Sequence, residues 1–201
     1  FFTAMSDVNQ ELGALRNRDM REFSSTDRFN RVLLRVGLSE TMATQQLAGE
    51  LADAHMELLA DATTVPADHV RLLARVFPRY RVALVSNFDH APTARRIIER
   101  DGASSYFHHV VISDEHGWRK PHPRIFTDAL DVLDVSPSEA LFVGDSPYDD
   151  IVGARQVGMD IAWVNALDAP LPENIPVPDY TVRAIPELFQ VLSLSNTERA
   201  S

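Results

Sequence analysis

The sequence predicts an α/β fold, a doubly wound parallel sheet preceded by an all-helical segment. Three observations carry this. Up to residue 77 the apolar residues recur at helical spacing. From residue 78 onward, short apolar runs alternate with helical stretches. Those runs are unbroken, as in strands covered on both faces. Strands alternating with helices at this spacing build a parallel sheet with right-handed crossovers.

In chain order, the first helix is the weakest, roughly Ser6 to Arg18, with Gly13 inside it. Ser25 or Thr26 can cap the second, which carries Phe29, Val32, Leu33 and Val36 at i, i+3, i+4 and i+7 and stops at Gly37. Ser39 can cap the third, which runs through Met42, Leu47 and Leu51 towards Leu58 and Leu59. Pro66 suits the first turn of the next, with Val70, Leu73, Ala74 and Phe77 on one face. Short loops between these helices predict an antiparallel bundle. The expected strands are Val82–Val85, Val110–Ile112, Ala140–Val143, Ile161–Val164 and, weaker, Tyr180–Val182. Between and after them the expected helices are Ala91–Arg100, Pro123–Leu133, Asp150–Val157 and Pro186–Leu192. The pattern divides the chain into residues 1–77 and 78–201.

Composition excludes several classes. With 201 residues, 45% hydrophobic and 24% charged, the chain can bury a core as one domain, or as a domain with a small module. It has no cysteine, which removes disulfide frameworks, cysteine–zinc sites and thiol catalysis. No apolar run approaches the ~18–20 residues of a spanning helix, and no signal peptide is evident, so a cytoplasmic protein is expected. The chain opens on Phe1 rather than Met, so an upstream segment is expected to have been removed or left out. The net charge of −10 argues against nucleic acid and against an anionic membrane as partners. Eighteen of the 19 basic residues are Arg; the one lysine is Lys120. A compact ammonium suits a phosphate or a crowded carboxylate cluster.

In an open parallel sheet, ligands bind beyond the carboxyl ends of the strands. Ser86 and Asn87 follow the first run; Ser113 and Asp114, then Lys120-Pro121, follow the second. Gly144, Asp145, Ser146, Asp149 and Asp150 follow the third, and Asn165 follows the fourth. Small donors, one ammonium and up to three carboxylates thus collect on one edge. Hard oxygen ligands of this kind suit Mg²⁺ or Mn²⁺. Each piece has a plainer reading. Ser86-Asn87 can be a turn, Asp149 and Asp150 can serve a helix N-terminus, and Lys120-Pro121-His122-Pro123 can start a helix. His122 reads as a solvated loop residue, His108 and His109 as strand-edge residues, and His90 as near the edge but not catalytic. Trp118 either shields a pocket or packs. Arg16, Arg18 and Arg21 read as a solvated helix face, with anion contact as the alternative.

Order and spacing together resemble the haloacid dehalogenase superfamily. The stretches are Val82-Ala-Leu-Val-Ser-Asn-Phe88, Trp118-Arg-Lys-Pro-His-Pro-Arg-Ile-Phe126 and Leu141-Phe-Val-Gly-Asp-Ser-Pro-Tyr-Asp-Asp-Ile-Val-Gly-Ala154. They are similar to the second, third and fourth motifs of that family, and residues 1–77 resemble its helical cap. The resemblance implies that Ser86 and the backbone of Asn87 bind the transferring phosphoryl group. It implies that Lys120 neutralises phosphate charge, that Asp145 binds Mg²⁺, and that Asp150 orients Lys120 or holds metal-bound water. Asp149 is the less favoured of the adjacent acids.

The family's first motif, Asp-x-Asp, occurs nowhere in these residues. The resemblance therefore implies a sheet missing its first central strand and a chain lacking the aspartyl nucleophile, with any hydrolysis relying on metal-activated water. The expected reading is a metal-dependent phosphohydrolase acting on a small phosphate ester. The exposed strand edges predict a homodimer. The alternatives are a non-catalytic, self-associating scaffold and a 2-haloacid dehalogenase.

Overall fold

The computed structural model describes residues 1–192. By compactness the chain forms two units. One gathers Phe1–Val65, Leu84–Ser105 and Val110–Arg119; the other gathers Pro66–Ala83, Tyr106–His109 and the residues from Lys120 onward.

The first unit begins with α1 (Phe2–Asp19), α2 (Ser25–Arg35) and α3 (Met42–Ala62). Ala4, Val8 and Leu12 of α1 pack on Val32 of α2, while Phe29 and Leu33 on the next rows of α2 meet Ala48 and Ala52 of α3. The small residues of α3 let the backbones approach closely. α1 starts earlier than the Ser6 expected, because Ala4 continues the buried row of Val8 and Leu12. The cap of α2 is Ser24, not Ser25 or Thr26. The Ser24 hydroxyl accepts the Asp27 N–H at 3.0 Å, and Asp27 accepts the Ser24 N–H at 3.1 Å. Ser25 is buried and spends its own hydroxyl on Asp89. Thr41, rather than Ser39, caps α3 by accepting the Thr44 N–H.

The same unit holds most of strands β1 (Ala83–Ser86) and β2 (His109–Ile112), which pair as a two-stranded sheet, and helix α5 (Ala91–Arg100). Ala91 and Ala94 of α5 pack on Ile112, flanked by Leu84 and Phe88. A single-turn helix not foreseen in the sequence, α6 (Ser113–His116), follows β2 directly. It ends at Gly117, whose φ of +81° is a left-handed stop that glycine takes without strain.

The second unit contains α4 (Ala67–Val76), α7 (Pro123–Leu133), β3 (Leu141–Gly144), α8 (Gly153–Val157), β4 (Asp160–Val164), β5 (Tyr180–Val182) and α9 (Leu188–Val191). Strands β3, β4 and β5 are parallel and adjacent in that order. Leu141 pairs with Asp160, Gly144 with Trp163, and Val164 with Val182. Leu72 and Val76 of α4 close this core with Ala162, Val182 and Leu188. Burying each of those two side chains contributes ~1.5–3 kcal/mol. The bundle expected of all four helices therefore ends at α3. The residues of α4 that are buried against the sheet are Leu72 and Val76, not the expected face of Val70, Leu73, Ala74 and Phe77, which stays half-buried.

One local departure matters for the site. The helix expected over Asp150–Val157 opens instead as a π turn over Pro147–Val152 before α8 begins. Its start is fixed by Ser146, whose hydroxyl accepts the Asp149 N–H at 3.1 Å. The strands form two sheets: among the described residues, β1 pairs only with β2, and β3 only with β4.

Candidate functional site

In the second unit the carboxyl end of β3 runs straight into Gly144-Asp145-Ser146 and the π turn. Lys120 reaches this turn from the loop before α7. Its Nζ lies 2.7 Å from Asp150 Oδ1, with the side chains only 12% and 3% exposed. The other Asp150 oxygen, Oδ2, accepts the Ser146 N–H at 2.9 Å. The Lys120 ammonium also sits 5.2 Å from the Phe142 ring centroid. An ammonium and a carboxylate withdrawn from water this far need such geometry to be stable. Gly144 makes room for it, because a Cβ there would fall 2.2 Å from Asp150 Oδ2.

The three acids of this turn behave differently. Asp150 points inward and has both oxygens engaged. Asp149 is half-buried and Asp145 is exposed. Among the described residues no three His, Asp or Glu side chains are grouped as a metal cage. The turn thus carries one exposed carboxylate, Asp145, and one half-buried, Asp149, and not the three-carboxylate cluster that the strand ends suggested.

Ser86 and Asn87 lie in the first unit, at the end of β1. The loop they begin is heavily held. The Phe88 N–H donates to Ser113 Oγ at 2.9 Å, and the Ala91 N–H to Asp114 at 2.8 Å. Asp89 accepts the Ser25 hydroxyl at 3.0 Å and lies 3.4 Å from Arg16 and 3.5 Å from Arg28. His90 is buried between Asp53, 3.2 Å away, and Thr93, 2.9 Å away, and serves packing. Trp118 packs under the Arg21 guanidinium, 4.2 Å from the ring centroid. Arg16 is not part of a solvated face, since Glu22 holds it at 2.8 Å. Arg18 is exposed and pairs with Asp19.

Sequence reasoning missed Glu22, which belongs to no motif and whose side chain is 2% exposed. The available signal was weak: one acid next to Arg21 in a short link between two helices.

No described helix is long and apolar enough to cross a membrane. The family model for haloacid dehalogenase-like hydrolases matches residues 11–158. The glyceraldehyde 3-phosphate phosphatase of Pyrococcus furiosus is 34% identical over 137 residues, which is 66% of this chain and 55% of that protein. The pyrimidine 5′-nucleotidase YjjG of Escherichia coli is 34% identical over 145 residues, covering 72% of this chain and 64% of that one. The chain therefore spans less than two thirds of either curated relative. Among solved structures, a 2-haloacid dehalogenase from Pseudomonas syringae superposes with a TM-score of 0.77 at 23% identity. It covers 96% of this chain and 80% of its own, a likeness of fold.

Proposed function

The chain belongs to the haloacid dehalogenase-like hydrolase family, and from that premise we propose that it hydrolyses small phosphate monoesters with Mg²⁺ or Mn²⁺ as cofactor. Water splits the ester P–O bond, releasing an alcohol and inorganic phosphate. The observation that carries this reading is the withdrawn Lys120–Asp150 pair beside the exposed Asp145 at the end of β3. It is reinforced by two relatives whose names are those of phosphate-ester hydrolases.

The roles follow from the chemistry of each group. The Ser86 hydroxyl and the Asn87 backbone N–H donate to phosphoryl oxygens. Lys120 offsets the negative charge that phosphoryl transfer must gather. Asp150 holds that ammonium in place. Asp145 and Asp149 fit a hard divalent cation. Mg²⁺ keeps several waters and needs only one or two protein carboxylates, which is what this turn offers. When bound, the ion supplies charge neutralisation and lowers the pKa of a coordinated water. Helices α1 to α3 act as the cap that selects the ester.

The experiment is phosphate release from p-nitrophenyl phosphate with Mg²⁺ or Mn²⁺, for the wild type and for Asp145→Asn. The expected loss is at least about tenfold. Equal rates would remove Asp145 from the mechanism. Chloride release from 2-chloropropionate without added metal would favour a dehalogenase over a phosphatase. An absence of both activities would leave a scaffold.

The open edges of β1 and β3 also suit pairing with a second copy of the chain. Light scattering is expected to give a dimer, and a stable monomer would rule that out.

A further inference from the structure

We infer that Glu22 is a positioning residue for the reaction, holding the Phe88 and Arg119 ends of the loops that carry Ser86-Asn87 and lead into Lys120. This rests on the phosphatase reading above. Glu22 lies in the link between α1 and α2, far in sequence from any motif, yet its side chain is 2% exposed. An acid is withdrawn from water this completely only when its oxygens are satisfied.

One oxygen serves the first loop. The Ser113 hydroxyl donates to Glu22 Oε2 at 2.6 Å. That leaves the Ser113 oxygen free to accept the Phe88 N–H at 2.9 Å. Phe88 is the residue after Asn87, so Glu22 determines which way Ser113 faces, and Ser113 determines where the loop runs. The carboxylate also reaches the second loop: Arg119 lies 3.4 Å from both oxygens, and Arg16 of α1 lies 2.8 Å from Oε1. Arg119 is bonded directly to Lys120.

The backbone repeats the link. The Glu22 N–H donates to the Gly117 carbonyl at 3.1 Å, and the Arg119 N–H donates to the Met20 carbonyl at 3.0 Å. Arg21 and Trp118 form the antiparallel bridge between these two bonds. Charge fits as well. Arg16, Arg28 and Arg119 surround two carboxylates, Glu22 and Asp89, and Asp89 ends the Ser86–Asp89 loop. Removing Glu22 leaves Arg16 and Arg119 without their shared anion. A misplacement of about 1 Å from such a change can cost on the order of a hundredfold in rate.

The test compares the full-length wild type with Glu22→Ala, Glu22→Gln and Ser113→Ala. Amide hydrogen exchange and steady-state kinetics on p-nitrophenyl phosphate are measured in parallel. Glu22→Ala is expected to speed exchange at both Phe88 and Arg119 by roughly tenfold. Ser113→Ala is expected to speed Phe88 and leave Arg119 unchanged, a split that general loosening would not produce. Glu22→Ala is expected to lower kcat by at least about tenfold with KM within about twofold. Glu22→Gln, which keeps an acceptor for Ser113, should restore Phe88 protection. If Glu22→Ala does not fold, Ser113→Ala still decides the Phe88 half. The inference is overturned if Ser113→Ala leaves Phe88 exchange unchanged, or if Glu22→Ala loosens both loops and kcat stays at the wild-type value. If the wild type shows no turnover, the phosphatase reading falls, and with it the claim that Glu22 positions a reaction. The exchange pattern then reports on the loop linkage alone.

Discussion

Asp150→Ala is expected to cost about 3–5 kcal/mol of folding stability, the range for deleting one partner of a buried ion pair, and to abolish ester hydrolysis. The substitution leaves the Lys120 ammonium, 12% exposed, without the carboxylate 2.7 Å away. It also takes the acceptor from the Ser146 N–H. The Phe142 ring face offers the cation only partial compensation. Asp150→Asn keeps an acceptor for Ser146 and loses only the charge, so its stability loss should be smaller while its activity loss stays large. Urea unfolding midpoints and kcat for the two variants separate these contributions. A loss below about 1 kcal/mol for Asp150→Ala, as at an exposed pair, would show that Lys120 finds water or another partner at no cost.

Gly153→Ala should destabilise by about 1–3 kcal/mol through overpacking, although alanine is otherwise the better helix former by up to ~1 kcal/mol. A Cβ there would lie 2.5 Å from two ring atoms of Phe126 and 3.1 Å from the backbone Cα of Pro121. The Phe126 ring cannot retreat. It is 1% exposed and meets Phe142 edge-on at 5.0 Å. Pro121 follows Lys120, so the strain enters the loop that delivers the ammonium. Thermal unfolding of Gly153→Ala is expected to shift downward, and Phe126→Leu in the same chain should return part of the loss. Strict additivity of the two changes would place the strain elsewhere.

Much of this architecture could be read before any coordinates. Unbroken apolar runs mark strands because a parallel strand has no wet face. All five expected runs became strands within a residue or two. Asp145 and Asp150 were visible because strand–turn–helix units place such residues at strand ends. What could not be read depends on tertiary choice. Whether Ser24 or Ser25 caps α2 turns on Asp89, sixty-four positions away from Ser25. Helix α4 carries apolar residues on more than one face, and which of them is buried, Leu72 and Val76 here, is decided by the sheet it meets. The π turn adds no composition signal, because its register is set by Ser146 and by the pull of Lys120 on Asp150. Glu22 was invisible for a related reason. Its partners come from α1, the end of β2 and the loop before Lys120, and no spacing within one segment records them.

Lys120 holds the only side-chain amine in the chain, since the other 18 basic residues are arginines. Acylating and alkylating reagents that seek amines therefore meet one side chain, and Asp150 keeps it drawn in. Its rate of labelling becomes a clock for how often that pair parts. Among these residues a lysine acetyltransferase would likewise have a single target, and acetylation there would remove the charge that pairs with Asp150.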